Sequence, residues 1–407
     1  KPPSEDMDAA REEERRNLRA KQEELEDSPQ EVDETRAGKE GGSAKEYRNE
    51  AREKEAMEKW ETDEDSSEAV KDKPEQKEDE SPYQTGFQSG DYTYYVQEDG
   101  GACIINYKGS GYVLNLPKEL NGHAVKRIGR GAFANRSMVS ITLPDTLTAI
   151  GDGAFEGCSS LGSIKLPDGM TAIGDRAFEG CHSLRSIQLP AGIKAIGDEA
   201  FSDCWFLVSI NLPDSLTTLG KAVFRGADSM EYFEVSDNHP TLKVIEGVLY
   251  TKDESTLLQY PAGRGDREFA VPEGVRAIGA NAFYGCEYLS SVKLPDSLPA
   301  IGDGAFYGCH SLRSIKLPAG IKSIDDEAFS GCGSLGRGGI KLPDGIKAIG
   351  DWAFYGCHSL SRMTIPKGVN EIGYGAFKDC DALTLNVKQG SYAQGYAEEK
   401  GIPYVLG

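Results

Sequence analysis

The sequence predicts a β-rich solenoid of about ten 22–25-residue repeats, each a strand followed by a short helical turn, behind an acidic N-terminal segment that is disordered or partly helical. Two observations predict it. An Ala-Phe pair, once Val-Phe, recurs at intervals of 22 to 25 residues, with a single interval of 59. By contrast, the first 80 residues hold 29 acidic and 16 basic residues. A fixed period is typical of stacked repeats, and so charged a segment cannot bury enough apolar surface to order itself.

Residues 1–82 are interpreted as an acidic, low-complexity tether. Leu18, Leu25 and Val32 lie seven residues apart, as on one seam of a coiled coil, but a coiled coil needs more heptads than these positions supply. The whole chain carries a net charge of −21, which argues against a nucleic-acid or anionic-membrane partner. No apolar run reaches the roughly 20 residues needed to span a bilayer, so no membrane insertion is expected.

The repeat frame reads L-x-x-I-x-L-P, then an apolar residue followed by x-x-I-G-D, then x-A-F-x-x-C, as in residues 161–181. Apolar Ile164 and Leu166 alternate with polar residues, which predicts a strand with one buried side. Pro167 ends the strand because it has no N–H to donate. The Phe fills the core from a tight helical turn. One repeat alone buries too little apolar surface, so neighbouring repeats stabilise each other.

The frame and its interruptions divide the chain after the tether into five parts. These are an N-terminal β cap at 83–130, a first array at 131–235, a β-hairpin insertion at 236–270, a second array at 271–382 and a C-terminal cap at 383–407. Within the insertion, Val244–Tyr250 and Thr256–Tyr260 flank a polar turn, which predicts a hairpin that leaves one continuous solenoid. Two extra residues within 336–339 predict a bulge before Ile340.

Four features in order resemble the BspA-like leucine-rich-repeat (LRR) proteins. They are the IGDxAFxxCxSLxSIxLP frame, the YTYYVQEDGGACIINYKGSG lead-in, the EGVLYTKDESTLLQYPAG insertion and the GSYAQGYAEEKGIPY ending. The resemblance covers about residues 90–407. It implies a cell-surface or secreted protein, bacterial or from a protist, that acts in adhesion. The residues from Lys1 onward contain no leader, and a leader removed by processing would leave the same start, so the expected extracellular or cell-surface location rests on the resemblance.

Eight of the nine cysteines occupy one position, three residues after the repeat Phe. No CxxC pair accompanies them, so the usual zinc spacing is absent. Stacked repeats would place these thiols in a buried ladder, a role that free cysteine fills well, with disulfides or a metal as alternatives. Cys103 lies outside the ladder and is expected to pack in the N-terminal cap. Histidines that follow three of the ladder cysteines are expected to face solvent.

Aspartates form a second ladder, directly before the turn of each regular repeat. They are predicted to cap the N–H groups of that turn, with calcium binding as the alternative. The members are Asp152, Asp175, Asp198, Asp303, Asp326 and Asp351. No nucleophile elbow, P-loop, HExxH or dinucleotide fingerprint is present. We therefore predict a protein that is not an enzyme, with no catalytic residues, no cofactor and no metal site.

The outward-facing strand residues supply the candidate binding site. Lys165, Lys293, Lys316 and Lys341 occupy this position, and the second-array lysines should stack as neighbours, with Arg313 beside them. A basic column on an acidic chain predicts a site for an acidic partner, either a sulfated or uronic-acid glycan or an acidic protein segment. The alternative is a solvated face of little consequence.

A tripeptide in the loop after the insertion, Arg264-Gly265-Asp266, offers an integrin-type motif. A polar connecting loop explains it as well.

These observations favour a monomeric, surface-displayed or secreted LRR protein that binds an extracellular protein or glycan, in the manner of an adhesin. Two alternatives belong to other classes of protein. One is a structural spacer or assembly module of a surface complex, and the other is an intracellular scaffold. A binding protein should carry a chemically consistent patch on one face, whereas a spacer should carry mixed, solubilising charge.

Overall fold

A computed structural model of the chain describes residues 86–336 and 340–407. The predicted tether and residues 337–339 of the predicted bulge lie outside these residues. The described chain forms a β-solenoid of about 13 turns with almost no helix, which confirms the predicted fold class. None of the described helical residues forms a segment long and apolar enough to cross a membrane.

The N-terminal cap begins with an antiparallel meander that passes into a parallel stack. Its strands are β1 (Phe87–Ser89), β2 (Tyr92–Val96), β3 (Ala102–Tyr107), β4 (Val113–Asn115), β5 (Glu119–Leu120) and β6 (His123–Ile128). Strands β1, β2 and β3 pair antiparallel, and β3 then pairs parallel with β6. Tyr94 and Ile104 are buried beneath this meander and close the N-terminal end of the core.

Each repeat of the first array contributes one strand to each of two sheets. The front sheet is built from the S-I-x-L-P segments: β7 (Ser140–Thr142), β9 (Ser163–Lys165), β11 (Ile187–Gln188), β13 (Ser209–Leu212) and β15 (Tyr232–Val235). The back sheet is built from the segments before I-G-D: β8 (Ala149–Ile150), β10 (Ala172–Ile173), β12 (Ala195–Ile196) and β14 (Thr218–Leu219). All of the pairings within the array are parallel and one repeat apart, so equivalent side chains form columns.

The insertion forms three strands and not the predicted two. They are β16 (Leu242–Ile245), β17 (Val248–Thr251) and β18 (Thr256–Gln259), paired antiparallel in that order. The predicted strand Val244–Tyr250 is divided because Glu246 and Gly247 both adopt left-handed backbone, with φ of 49° and 82°. The strand β18 then pairs parallel with the back-sheet strand β20 (Ala277–Ile278).

This insertion is buried on two sides and is part of the stack, so the predicted excursion is wrong, whereas the predicted continuous solenoid is confirmed. Val248 and Tyr250 pack in the hydrophobic core of the second array, whereas Leu249 packs in the core of the first. Each of these three side chains is at most 1% exposed. Residues 242–259 therefore act as a wedge between two cores, and we call them the wedge.

The second array repeats the two-sheet arrangement. Its front strands are β19 (Glu268–Ala270), β21 (Ser291–Lys293), β23 (Ser314–Lys316), β25 (Ile340–Lys341), β27 (Arg362–Thr364) and β29 (Thr384–Val387). Its back strands are β20, β22 (Ala300–Ile301), β24 (Ser323–Ile324), β26 (Ala348–Ile349) and β28 (Glu371–Ile372). The chain closes with helix α1 (Tyr392–Lys400) and strand β30 (Tyr404–Leu406). Ser391 caps the start of α1, and Gly401 ends it in left-handed backbone with φ of 66°.

A column of stacked phenylalanine rings fills the core between the two sheets. Phe155 and Phe178 are representative, with ring centroids 5.4 Å apart and planes only 9° from parallel. This spacing is slightly larger than the roughly 4.8 Å between neighbouring strands, so each repeat places its ring directly over the last. Tyr260 takes the Phe position at the wedge and stacks on Phe283 at 5.3 Å. Tyr260, directly after the wedge, therefore continues the ring column one regular interval of 23 residues before Phe283.

The aspartate ladder joins neighbouring repeats, so the prediction that each Asp caps its own turn is wrong. Asp152 Oδ1 accepts a hydrogen bond from the Asp175 N–H at 3.0 Å, one repeat further on. The N–H groups of the first turn are already used, since Gly153 donates to the Asp175 carbonyl and Phe155 to the Ala177 carbonyl, both at 2.8 Å. The Asp152 carboxylate therefore accepts from a backbone N–H of the next repeat and not from its own turn.

Candidate functional site

The outward-facing position of the front sheet is a single column of polar side chains. In the first array Lys165 lies between Thr142 and Gln188, its neighbours in register, so it stands apart from the other predicted lysines. At the end of that array Asn211 donates to Glu234 at 3.2 Å. The first-array part of the column is thus mostly uncharged and is closed by an acidic residue.

In the second array the same column is basic, as the repeat spacing predicts. Lys293 and Lys316 are direct register partners on β21 and β23. Lys341 follows on β25, which lies beside β23. All three side chains are exposed. We call Lys293, Lys316 and Lys341 the lysine column.

The lysine column is neutralised at one end and open at the other. Lys293 Nζ lies 3.2 Å from Glu273 Oε1. Within the described part of the chain, Lys316 and Lys341 make no ion pair. The residue after the strand-ending Pro of the preceding repeat is Glu273 for Lys293, Asp296 for Lys316 and Ala319 for Lys341, so an acidic residue is missing at this position only for Lys341. Two ammonium groups are therefore left available to an external anion.

Arg313 belongs to the same repeat as Lys316 and lies on the approach to β23. Its side chain is exposed, and its backbone N–H donates to the Ser290 carbonyl at 3.0 Å. The stacking of repeats fixes its backbone one residue before β23. Arg313 is therefore an exposed planar donor in the same repeat as Lys316.

The Arg-Gly-Asp tripeptide is folded back on itself. Arg264 Nη2 lies 2.7 Å from Asp266 Oδ2, and the Tyr260 hydroxyl donates to the same carboxylate oxygen at 2.8 Å. Arg264 also donates to the Glu246 carbonyl and lies over the Tyr260 ring. Both charged groups of the tripeptide are thus engaged with this chain, and they fasten the loop to the wedge.

The ladder cysteines are free and buried, which confirms the predicted structural thiols. Each thiol except Cys286 donates to the carbonyl of the repeat Phe one repeat back, as Cys181 does to Phe155 at 3.3 Å. Burial raises the pKa of Cys158 to about 11 and that of Cys380 to about 12. The thiols of Cys158 and Cys380 are therefore protonated at neutral pH and act as donors and not as nucleophiles.

An exposed aromatic cluster was missed by the sequence reasoning. The His182 and Trp205 rings stack with centroids 3.6 Å apart, and Arg185 lies over the Phe206 ring at 5.2 Å. Phe206 is 46% exposed. The residue two after the ladder cysteine is Ser in most repeats, so the departure at Phe206 was the available signal.

The back sheet of the second array carries an acidic groove of about 370 Å³. Asp303 and Asp326 line it, and burial is the main cause that raises the pKa of both carboxyls. In the part of the chain that the structure describes, no three His, Cys, Asp or Glu side chains are grouped to hold a metal ion. The groove belongs to the aspartate ladder that joins the repeats.

Two-strand repeats stacked around a phenylalanine column define an LRR solenoid, a class of protein that serves as a binding scaffold. Residues 126–246 and 267–384, more than half of the chain, match six copies of the BspA-type leucine-rich-repeat region, so the chain belongs to that family. No curated protein is similar enough to count as a relative.

Two solved structures are similar to the described fold. One is a leucine-rich cell surface protein from Faecalibacterium prausnitzii A2-165, with 29% identity, a TM-score of 0.57 and coverage of 77% of this chain and 97% of that chain. The other is the pneumococcal vaccine antigen PcpA, with 20% identity, a TM-score of 0.63 and coverage of 79% and 98%. At 20% identity, the similarity to PcpA shows the fold alone.

Proposed function

We propose that the protein is displayed on a bacterial surface or secreted, and that it binds an acidic partner through the lysine column. The partner is a sulfated or uronic-acid glycan or an acidic protein segment. The family and the cell-surface protein of Faecalibacterium prausnitzii support the location and the binding role. The observation that carries the proposal is that Lys316 and Lys341 lie in adjacent repeats, exposed and without an ion pair among the described residues.

The charge pattern gives this column a physical reason to bind. Neighbouring like charges on adjacent strands repel each other, so the column opposes folding slightly unless an anion neutralises it. An anion that bridges two lysines removes that repulsion, and the exposed ammonium groups lose little hydration on binding. Because the contact is electrostatic and exposed, affinity should fall steeply as salt rises.

The test is a binding screen of the full chain against glycans and acidic peptides, repeated with Lys293, Lys316 and Lys341 all changed to Ser. A matched control changes Lys194, Lys322 and Lys347 to Ser, which removes the same charge from exposed positions just before back-sheet strands. We expect the front variant to lose about tenfold or more in affinity and the back variant less than about twofold. A tenfold loss is about 1.4 kcal/mol, which the removal of charge-assisted hydrogen bonds from lysine to an anion can account for.

Equal losses in the two variants would mean that only net charge matters, and the lysine column would not be the site. If no ligand binds the parent chain, the structural spacer becomes the better description.

Integrin-type recognition by Arg264-Gly265-Asp266 is a separate proposal that the lysine column does not require. It demands that the 2.7 Å contact between Arg264 and Asp266 open. Integrin-dependent cell attachment that is lost on changing Asp266 to Ala, in a chain that still melts normally, would support it.

A further inference from the structure

A buried histidine holds the turn that leads into the wedge. His239 lies between β15 and β16 and is 0% exposed. Its Nδ1 accepts hydrogen bonds from the backbone N–H of Thr241 at 3.2 Å and from that of Leu242 at 3.1 Å. Since Nδ1 accepts, the neutral ring must carry its proton on Nε2. A second proton could be added only at Nδ1, and both backbone bonds would then be lost.

The charged groups around this ring come from two segments of the chain. Asp214, on the turn after β13, favours the charged ring, as does the Pro213 carbonyl, while Lys252, after β17, opposes it. Burial is the largest cause and lowers the pKa of His239. Asp214 also accepts from Ser236 at 2.6 Å, so its carboxylate is already partly satisfied.

The strand that His239 positions is the outer strand of the wedge. In the described structure β16 pairs only with β17, and its other side lies next to β15. A cavity of about 420 Å³ lies there, lined by Val244 of β16 and by Phe233, Glu234 and Val235 of β15. Movement of β16 away from β15 would widen this cavity into a groove along the last front strand of the first array.

We propose that His239 is an acid-sensitive latch, and that its protonation releases β16 and opens the groove along β15. A histidine whose folded-state pKa lies below its ordinary value stabilises the fold fully above that ordinary value, near pH 6.5. This contribution is lost as the pH falls from there through the folded-state value. The latch is therefore closed at neutral pH and opens as the pH falls below the ordinary histidine value.

The experiment is hydrogen exchange of the full chain at about pH 7.5 and about pH 5.5, corrected for the intrinsic pH dependence of exchange. We expect peptides that cover residues 240–252 to open more often at the lower pH, by up to about tenfold, because a released histidine of ordinary pKa near 6.5 is mostly protonated at pH 5.5. The variant His239→Asn keeps a side-chain acceptor for the same N–H groups but cannot titrate, so its exchange should not change with pH. His310→Gln, on an exposed loop, should behave like the parent.

The proposal is overturned if the parent shows no pH-dependent opening, or if His239→Asn opens like the parent, which would point to the nearby carboxylates. Should His239→Asn fail to fold, the NMR titration of the parent decides. His239 must then titrate below the ordinary histidine value near pH 6.5, and a midpoint at or above that value would overturn the latch.

Discussion

At the scale of single residues, the ladder cysteines show how a repeat protein satisfies a buried carbonyl. Seven of the eight ladder thiols donate to the Phe carbonyl one repeat back, as Cys204 does to Phe178 at 3.2 Å, and Cys286 is the exception. A thiol is small, apolar and a weak donor, so it fills the gap and supplies a hydrogen bond at little desolvation cost. Serine would be more polar, and alanine would remove this bond between repeats, although the Phe178 carbonyl would still accept from the Cys181 N–H of its own repeat at 3.1 Å.

The first prediction concerns these thiols. Because burial raises the pKa of Cys158 to about 11 and shields its sulfur, the native protein should react with thiol reagents far more slowly than a free cysteine does. All nine thiols should react after denaturation without reductant. The measurement is a thiol titration with and without denaturant. A count below nine in the denatured protein would reveal disulfides and contradict the ladder.

A second residue-scale prediction concerns Glu179. Burial, followed by repulsion from Glu199, raises the pKa of its carboxyl to about 7 from an ordinary 4.5, although Arg176 and Arg225 act in the other direction. A raised carboxyl pKa stabilises the fold fully below 4.5, and that stabilisation is lost as the pH rises through about 7.

The change that tests this is Glu179→Gln. We expect the parent to lose on the order of 1–3 kcal/mol of unfolding free energy between about pH 5 and pH 8 from this group, and the variant to lose less. Denaturant unfolding at several pH values measures it, with Glu156→Gln as a control in the equivalent position one repeat earlier. Parallel stability curves for parent and Glu179→Gln would show that Glu179 is ionised throughout.

At the scale of elements, the aspartate ladder acts as a fastener between repeats. Asp152, Asp175 and Asp198 each accept from the backbone N–H at the same position one repeat on. The ladder resumes in the second array, where Asp351 accepts from Tyr374 at 2.6 Å. The residue after each Asp has left-handed backbone, as Arg176 does with φ of 54°. The chain therefore turns sharply after the Asp, and the Asp carboxylate faces the next repeat.

The prediction at this scale is that Asp175→Ala destabilises the first array by about 1–2 kcal/mol, because it leaves the Asp198 N–H without its acceptor. Asp175→Asn keeps an acceptor oxygen and should recover most of the loss. Asp168→Ala, an exposed turn position of the same repeat, is the control and should change stability by less than about 0.5 kcal/mol. Equal effects at Asp168 and Asp175 would mean that the ladder contributes nothing specific.

Elements with a strict period could be predicted from the sequence, and elements outside the period could not. The front strands and the phenylalanine column follow from spacing alone, because each repeat must place its residues over those of the last. The lysine column was predicted for the same reason. The aspartates were assigned to the wrong turn because spacing gives a residue's position within a repeat but not the direction of its hydrogen bond.

The wedge was misread for a different reason. Val248, Leu249 and Tyr250 are consecutive and all buried, a pattern that fits a strand with one face on each of two cores as well as an excursion. Nothing in the sequence shows that a second hydrophobic core packs on the other face of this strand. The ion pair of Lys293 with Glu273 was equally hidden, since it joins residues of two repeats.

At the scale of the whole described molecule, the hydrophobic core is two clusters and not one. Leu249 belongs to the first cluster, and Leu257, on the neighbouring wedge strand, belongs to the second. In a stacked repeat protein each repeat is stabilised chiefly by its neighbours, so a break in the core is also a break in cooperativity. The wedge is therefore the element that couples the stability of the first array to that of the second.

The last prediction uses these two leucines as a matched pair, since both are 0% exposed and lie on adjacent wedge strands. Leu249→Ala and Leu257→Ala should each cost about 2–5 kcal/mol through the cavity that they leave. The loss should appear in different places. Hydrogen exchange should quicken chiefly in residues 131–235 for Leu249→Ala and chiefly in residues 271–382 for Leu257→Ala, because each side chain packs in only one cluster. If both variants quicken exchange equally across the two arrays, the clusters unfold as one unit, and the wedge joins the arrays more tightly than its two-sided packing implies.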